Sequence, residues 1–226
     1  AEVIAWGDDL RDEILGKLEP FKSLKASVPD ADALLFNVDE AGNALWKTVR
    51  GAALEAAIAE GKQVLGEIAL RLPNAGDLFF DRENPRVIAH LRDKELKVKT
   101  VARTLHDDLR ARIVNGERAG KPISEIADDL QARFGHLNDY QARRIAQTEI
   151  VGASNIGAAA AIELAELGKE WIATLDDRVR DSHARLHGNV VGADETFANG
   201  LLHPGDANGP AEEVINCRCS VAAVIP

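Results

Sequence analysis

The chain has 226 residues, of which 46% are hydrophobic and 28% charged, and its 27 basic and 37 acidic side chains give a formal charge of −10. This charge argues against a surface built mainly to bind phosphate groups, and no apolar run approaches the roughly 20 residues that a membrane-spanning helix requires. Two cysteines exclude a secreted disulfide framework. The first residues lack the basic and apolar segments of a signal peptide, so the sequence predicts a cytoplasmic product.

The first part of the chain has the apolar spacing of amphipathic helices. One helical pattern covers residues 4–18 and is ended by Pro20. A second covers residues 39–70, and its four glycines predict helix breaks or close contacts between helices. These are Gly42, Gly51, Gly61 and Gly66. The segment 72–86 clusters Pro, Asn, Gly and Asp residues, which predicts a loop and the best internal boundary.

Three further helices are predicted in the middle of the chain. Residues 87–114 carry apolar side chains on one face. Ser124 has the features of an N-cap for a short helix that closes at Gly135. A long helix follows, with Asn138 as its N-cap and Gly168 as the glycine that commonly follows a helix end.

The character of the sequence changes after residue 168. Residues 169–175, 188–192 and 219–225 are short candidate strands, separated by segments rich in Gly, Pro, Asp and Asn. The sequence therefore predicts an α+β protein, with a mostly helical body of long helices followed by a small, loop-rich β region at the C-terminus.

The two cysteines lie together in "INCRC", as Cys217 and Cys219. One interpretation is a zinc site, in which both thiolates join His183 and a carboxylate such as Asp177. A second is a thiol nucleophile activated by histidine, although no helix N-terminus or glycine-flanked turn presents either cysteine. The metal interpretation is weakened because zinc sites usually combine two closely spaced pairs of ligands.

The third interpretation is structural. Residues two apart in a strand point to the same face, so both thiols would face inward and Arg218 outward. Charged side chains of the neighbouring loops would then hold this region through charge-assisted hydrogen bonds. These side chains are Asp176, Asp177, Arg178, Arg180 and Asp206.

Several motifs occur in a fixed order along the second half of the chain. They are "RRIAQTEIVGASNIGA" at 143–158, "WIATLDDRVRDSHARLHG" at 171–188, "PGD" at 204–206 and "NCRC" at 216–219. In this order and spacing the chain resembles the MuF-like phage head morphogenesis (minor capsid) family over about residues 87–226. The resemblance implies a minor head protein of a tailed phage or prophage, present in few copies and without catalytic activity or a cofactor.

The resemblance also implies a domain organisation and a set of partners. Residues 1–80 would form an N-terminal helical region and residues 81–226 a head-morphogenesis-type domain, helical over 87–168 with the β region at 169–226. The partners would be the portal and other capsid proteins, with weak contact to double-stranded DNA during packaging or delivery and no membrane. The protein would be found in the virion, and in the host cytoplasm during assembly.

One departure from the family bears on the cysteines. Some members carry Cys-x-x-Cys at the positions of Arg180 and His183, together with the terminal Cys-x-Cys, which suggests a zinc knuckle. Here an arginine replaces the first of those cysteines, so the resemblance favours a structural brace over a complete metal site. The brace would comprise Asp177, Arg178, Arg180, His183, Asp206, Asn216, Cys217 and Cys219.

The brace interpretation makes a geometric prediction. His183 should lie within a few ångströms of Cys217 or Cys219, without a metal, and Asp206 or Asp177 should bond to Arg180 or Arg178. In the metal alternative the ligands would be His183, Cys217 and Cys219. Thr148 and Glu149 match a polar pair that the family carries on the long helix. The sequence leaves two arrangements of this pair open, an exposed position on the helix surface and a buried bond to the β region.

The sequence leaves two other classes of function open. The first is a metal-dependent enzyme directed at nucleic acid or nucleotides, or a toxin-like effector delivered with the genome, which would use His183, Asp177 and the thiolates. The second is a DNA-binding module on the basic stretch 86–112. Its candidate residues are Arg92, Lys97, Lys99 and Arg103.

Overall fold

A computed structural model describes residues 2–22, 30–136 and 140–226. It confirms the α+β class, with long helices followed by a small antiparallel sheet near the C-terminus. The helices are α1 (Glu2–Leu18), α2 (Ala31–Leu34), α3 (Val38–Arg71), α4 (Pro85–Arg118), α5 (Ile123–His136), α6 (Ala142–Leu164), α7 (Asp181–Leu186) and α8 (Ala211–Val214). The strands are β1 (Gly168–Ile172), β2 (Val190–Val191) and β3 (Ser220–Val224). Among the described residues, no helix combines the length and the apolar character needed to cross a lipid bilayer.

The long helices α3 and α4 are continuous and have side-chain caps at their first turns. Asn37 Oδ1 accepts hydrogen bonds from the first backbone amides of α3, and Asn84 Oδ1 does the same for α4. Such caps satisfy amides that have no partner within the helix. The predicted helix breaks in α3 are therefore absent. A close contact with another helix occurs at Gly42, against Lys99 of α4, whereas Gly61 lies against Phe80 of a loop and the Cβ positions of Gly51 and Gly66 have no atom within 4 Å.

Three predicted helix ends are wrong in detail. Ser124 lies inside α5, which begins at Ile123 and continues past Gly135 to His136. The left-handed residue that ends α6 is Glu166 (φ 54°), and the Leu167 amide bonds back to the Ile162 carbonyl 3.2 Å away. This is the bond of a Schellman-type helix end. Gly168 is instead the first residue of β1, and the predicted cap Asn138 lies outside the described residues.

The chain forms two compact units, and the predicted domain division at residue 80 stays a prediction. The first unit comprises residues 1–49 and 95–143. Its core contains leucine, isoleucine and phenylalanine side chains of α1, α3, α4 and α5. Trp6 adds a hydrogen bond from its indole nitrogen to the Ala41 carbonyl, at 2.9 Å, which satisfies the one polar atom of that buried ring.

The second unit comprises residues 50–94 and 144–226 and contains the sheet. The strands are ordered β2-β1-β3 and both pairings are antiparallel, with Trp171 of β1 opposite Val221 of β3. Trp171 is fully buried and packs edge-on against Phe197, with ring centroids 5.1 Å apart. The alanine-rich face of α6 joins the same core, because small side chains let the helix approach its neighbours closely.

Candidate metal centre

Three buried side chains converge beside the sheet in the second unit. His183 lies on α7, and Cys217 and Cys219 lie between α8 and β3. His183 Nδ1 is 3.6 Å from the Cys217 sulfur and 3.4 Å from the Cys219 sulfur. The three residues are only 1%, 2% and 3% exposed. The predicted proximity of His183 to the cysteines is therefore confirmed.

The sheet fixes where these groups meet. Cys219 immediately precedes β3, whose first residue, Ser220, pairs with Ile172 of β1. The neighbouring β1 residue, Trp171, packs edge-on against the His183 ring at a centroid distance of 5.1 Å. The backbone pairing that orders β3 thus also holds the cysteine segment against the imidazole.

The second nitrogen of His183 faces a carboxylate. His183 Nε2 lies 2.9 Å from Glu213 Oε2. The same carboxylate accepts hydrogen bonds from Ser182 Oγ, at 3.0 Å, and from Asn199 Nδ2, at 3.2 Å. Burial opposes ionisation of Glu213, but these hydrogen bonds together lower its pKa below the ordinary value. The sequence did not single out Glu213, because nothing in its local pattern separates it from Glu212.

The pKa values of the two thiols are shifted in opposite directions. The interaction with Cys217 lowers the pKa of the Cys219 thiol, although burial opposes its ionisation. The same interaction, together with burial, raises the pKa of Cys217. Cys219 is therefore the thiol of the pair that ionises more readily. Cys217 retains its proton unless a cation compensates a second negative charge.

Helix α6 holds the cysteine segment from one side. Thr148 Oγ1 accepts a hydrogen bond from the Asn216 amide at 2.9 Å. Asn155 donates to the Cys219 carbonyl and accepts from the Val221 amide, both at 2.9 Å. Of the two arrangements left open for Thr148, the structure shows the buried bond toward the β region.

Glu149, the other member of that polar pair, is buried beside Lys94. Its carboxylate lies 3.5 Å from Lys94 Nζ, and both residues are under 10% exposed. Burial of either charge alone would be costly, so each requires the other. Neither residue was singled out as a site residue by the sequence.

The loop before α7 holds the same segment from the other side, through different pairs than predicted. Asp176 binds Arg218 with two hydrogen bonds of 2.5 Å, and Arg180 donates to the Ile215 carbonyl. Asp206 instead accepts from backbone amides of its own loop. The predicted bond from Asp206 or Asp177 to Arg178 or Arg180 is therefore wrong, since Asp206 is satisfied by amides of its own loop and Arg180 by the Ile215 carbonyl.

The remaining predicted residues supply no ligand atom to the cluster. Asp177 and Arg178 are exposed, and Arg178 approaches Asp176 only to 3.8 Å. Asn216 adopts a left-handed backbone conformation (φ 59°), which asparagine tolerates better than most residues. Asp177 is thus excluded as a fourth ligand in this arrangement.

The candidate nucleic-acid residues divide between the two units. Arg92 belongs to the second unit, and Lys97, Lys99 and Arg103 belong to the first. Lys97 and Arg103 are exposed. Lys99 is half-buried, with its ammonium group 2.6 Å from Glu95. Part of the predicted positive charge is therefore neutralised within α4.

The geometry of the cluster is compatible with a tetrahedral metal. The three ligand atoms all lie within 4.8 Å of one another. Zinc–sulfur and zinc–nitrogen bonds of about 2.3 and 2.0–2.1 Å at tetrahedral angles place a nitrogen about 3.6 Å from a sulfur. The observed separations of 3.4 and 3.6 Å match this value before any rearrangement. The donor set of two thiolates and one imidazole is one that zinc prefers.

Fold and site together define a class: a helical protein whose small terminal sheet carries a buried Cys-x-Cys pair against a histidine. The chain belongs to the family of Phage Mu protein F like proteins, whose family model matches residues 103–222, more than half of its length. No solved structure is significantly similar to it.

Two curated relatives share part of the chain. The minor head protein GP7 of Bacillus phage SPP1 is 32% identical over 128 residues, which cover 54% of this chain and 41% of the relative. The NAD(+)--arginine ADP-ribosyltransferase EFV of Enterococcus faecalis (strain ATCC 700802 / V583) is 34% identical over 127 residues, which cover 50% of this chain and 24% of that protein. The chain thus spans less than half the length of either relative.

Proposed function

We propose that this chain acts in the head of a tailed phage or prophage as a minor head protein, associated with the portal and other capsid proteins. Family membership supports this proposal, as does the similarity to a protein named as a minor head protein. The role would be exercised in the virion, and in the host cytoplasm during assembly.

The observation that carries the proposal is what the polar side chains around the cysteines do. Thr148, Asn155, Thr174 and Arg180 all bond to backbone groups of residues 215–221. An active site leaves several polar groups directed at a substrate. Here they hold the protein's own chain, which is the behaviour of a structural module.

The experiment that tests this role is analysis of purified heads. Virions and procapsids of the phage that encodes the chain are separated on a density gradient, and the protein is quantified against the portal by mass spectrometry. The expected result is a few copies that comigrate with both particles and copurify with the portal after co-expression. Absence from both particles, at a sensitivity of one copy per head, would contradict the proposal.

An enzymatic role is the second candidate, and the relative named as an ADP-ribosyltransferase is the observation that favours it. The similarity covers only 24% of that protein, so its named activity does not have to reside in the region that matches this chain. Incubation of the chain with NAD⁺ and an arginine-rich protein separates the two candidates. A head protein releases no nicotinamide above the buffer control, whereas release that depends on the chain would favour the enzyme.

A further inference from the structure

His183 is the centre of the buried polar cluster, and the proposed head-protein role gives it no chemical task. Its ring is almost completely buried, and each nitrogen faces a different kind of partner. Nε2 faces a carboxylate and Nδ1 faces two sulfurs. Which nitrogen carries the proton decides what the other can bind.

The surroundings of Glu213 settle that question. Ser182 and Asn199 both donate to its carboxylate, and an ionised carboxylate only accepts. His183 Nε2 must therefore be the donor in the 2.9 Å contact with Glu213. In the neutral ring this leaves a lone pair on Nδ1, directed at the two thiols.

We propose that His183 Nδ1, Cys217 Sγ and Cys219 Sγ bind one zinc ion, and that Glu213 is the positioning residue that fixes His183 in the tautomer this site requires. Zinc binds both sulfurs as thiolates, so any proton that Cys217 or Cys219 still holds goes to solvent, and the two thiolates offset the 2+ charge of the buried ion. A carboxylate that accepts from the free nitrogen of a ligating histidine is a recurrent feature of zinc sites, because it orients the ring and makes it a better donor.

The site provides three protein ligands and one exchangeable position. Among the described residues, His183, Cys217 and Cys219 form the one group of three or more His, Cys, Asp or Glu side chains whose ligand atoms lie close enough to share a metal ion. His183 and Cys219 also border a depression lined by Thr174, Arg180 and Asn216. A fourth ligand, either water or a small anion, would reach the ion from this depression.

The first experiment measures zinc binding by the full chain. Metal-free protein is titrated with Zn²⁺ in competition with a chromogenic chelator. The expected stoichiometry is one zinc per chain, and it is lost in Cys217→Ser and in His183→Ala. Substitution with Co²⁺ should give thiolate-to-cobalt charge-transfer absorption and the visible bands of a tetrahedral ion. Failure of the wild-type chain to bind zinc stoichiometrically would overturn the proposal.

The second experiment isolates the role of Glu213. Glu213→Gln should weaken zinc affinity by about 10–100-fold, the usual effect of losing such a partner, while the stoichiometry stays at one and the visible cobalt bands shift. The matched control is Glu212→Gln, on the same short helix but exposed, which should bind as the wild type does. Equal affinity of Glu213→Gln and wild type would refute the positioning role.

A milder variant keeps this test decisive if Glu213→Gln does not fold. Asn199→Ala removes one donor to the Glu213 carboxylate and leaves all three ligands in place. It should weaken zinc affinity in the same direction, by less than Glu213→Gln. Unchanged affinity in folded Asn199→Ala would count against the carboxylate as the group that sets the histidine.

Discussion

At the scale of single residues, the C-terminal region is held by side chains that bond to backbone groups. Asn155 alone satisfies one carbonyl and one amide of the chain around Cys219 and Val221. A buried backbone group left without a partner costs about 1–3 kcal/mol. A segment with few large apolar side chains depends on such bonds for its order, which explains why they are concentrated here.

The pair between Asp176 and Arg218 makes the stability of this region depend on pH. The hydrogen bonds from Arg218 hold the pKa of Asp176 well below its ordinary value. A lowered pKa in the folded state stabilises the protein above the unfolded-state pKa of about 3.9, and that contribution is lost as the pH falls further. We therefore expect Asp176→Asn to lower the midpoint of thermal unfolding at pH 7, with a difference from wild type that narrows below about pH 4.

The control for this prediction is Asp177→Asn, since Asp177 is the exposed neighbour. Its melting curve should follow the wild type throughout the pH range. Thermal unfolding followed by circular dichroism between pH 2 and pH 7 provides the measurement. A constant difference between Asp176→Asn and wild type across that range would contradict the linkage.

The sequence predicted part of this site. It placed His183 beside Cys217 or Cys219, because a polar loop and a Cys-x-Cys segment needed a common anchor. It missed Glu213 and paired the arginines wrongly, since many carboxylates lie within reach of flexible arginine side chains in such loops. Which of them forms a bond is decided by backbone turns, such as the left-handed residue Asn216, that local patterns do not reveal.

At the scale of elements, the contact between α3 and α6 depends on the absence of a side chain. A Cβ atom placed on Gly157 would lie 2.1 Å from the Ala57 carbonyl oxygen and 2.8 Å from its carbonyl carbon. Backbone atoms cannot move aside as a side chain can. Gly157→Ala should therefore force the helices apart and destabilise the protein by about 1–3 kcal/mol, the usual cost of overpacking, as measured by urea unfolding.

Gly66→Ala is the matched control on α3. No atom lies within 4 Å of the Cβ position of Gly66. Alanine there should stabilise the helix by about 0.5–1 kcal/mol, because glycine loses more backbone freedom on folding. Equal effects of the two substitutions, in sign and size, would show that helix propensity and not close contact governs Gly157.

Helix positions were well predicted and their ends were not. Apolar spacing defines a helix over many residues, so α3 and α4 were placed nearly correctly. An end depends on one or two residues whose competing preferences are similar, and at α6 Glu166 adopts the left-handed conformation in place of Gly168. The close approach at Gly157 depends on how α6 meets α3, which the sequence of α6 alone does not contain.

At the scale of the whole molecule, the net charge argues against a strong DNA-binding role. The formal charge is −10, and several arginines and lysines are paired with carboxylates, including Lys99 with Glu95 and Arg110 with Asp32. Paired cations contribute little to the attraction of a distant phosphate chain, because the field of each pair largely cancels. Any binding to DNA should therefore be weak and without sequence preference.

This expectation can be measured by fluorescence anisotropy with a labelled DNA duplex at increasing salt. Affinity for DNA falls with log salt in proportion to the number of phosphates neutralised, so we expect weak binding at low salt that disappears near physiological salt. Replacing Lys97, Lys99 and Arg103 with alanine should reduce it no more than a triple replacement on α3. Tight binding at physiological salt that only the α4 variant loses would establish a DNA-binding surface on that helix. The α3 control residues, all exposed, are Lys47, Arg50 and Lys62.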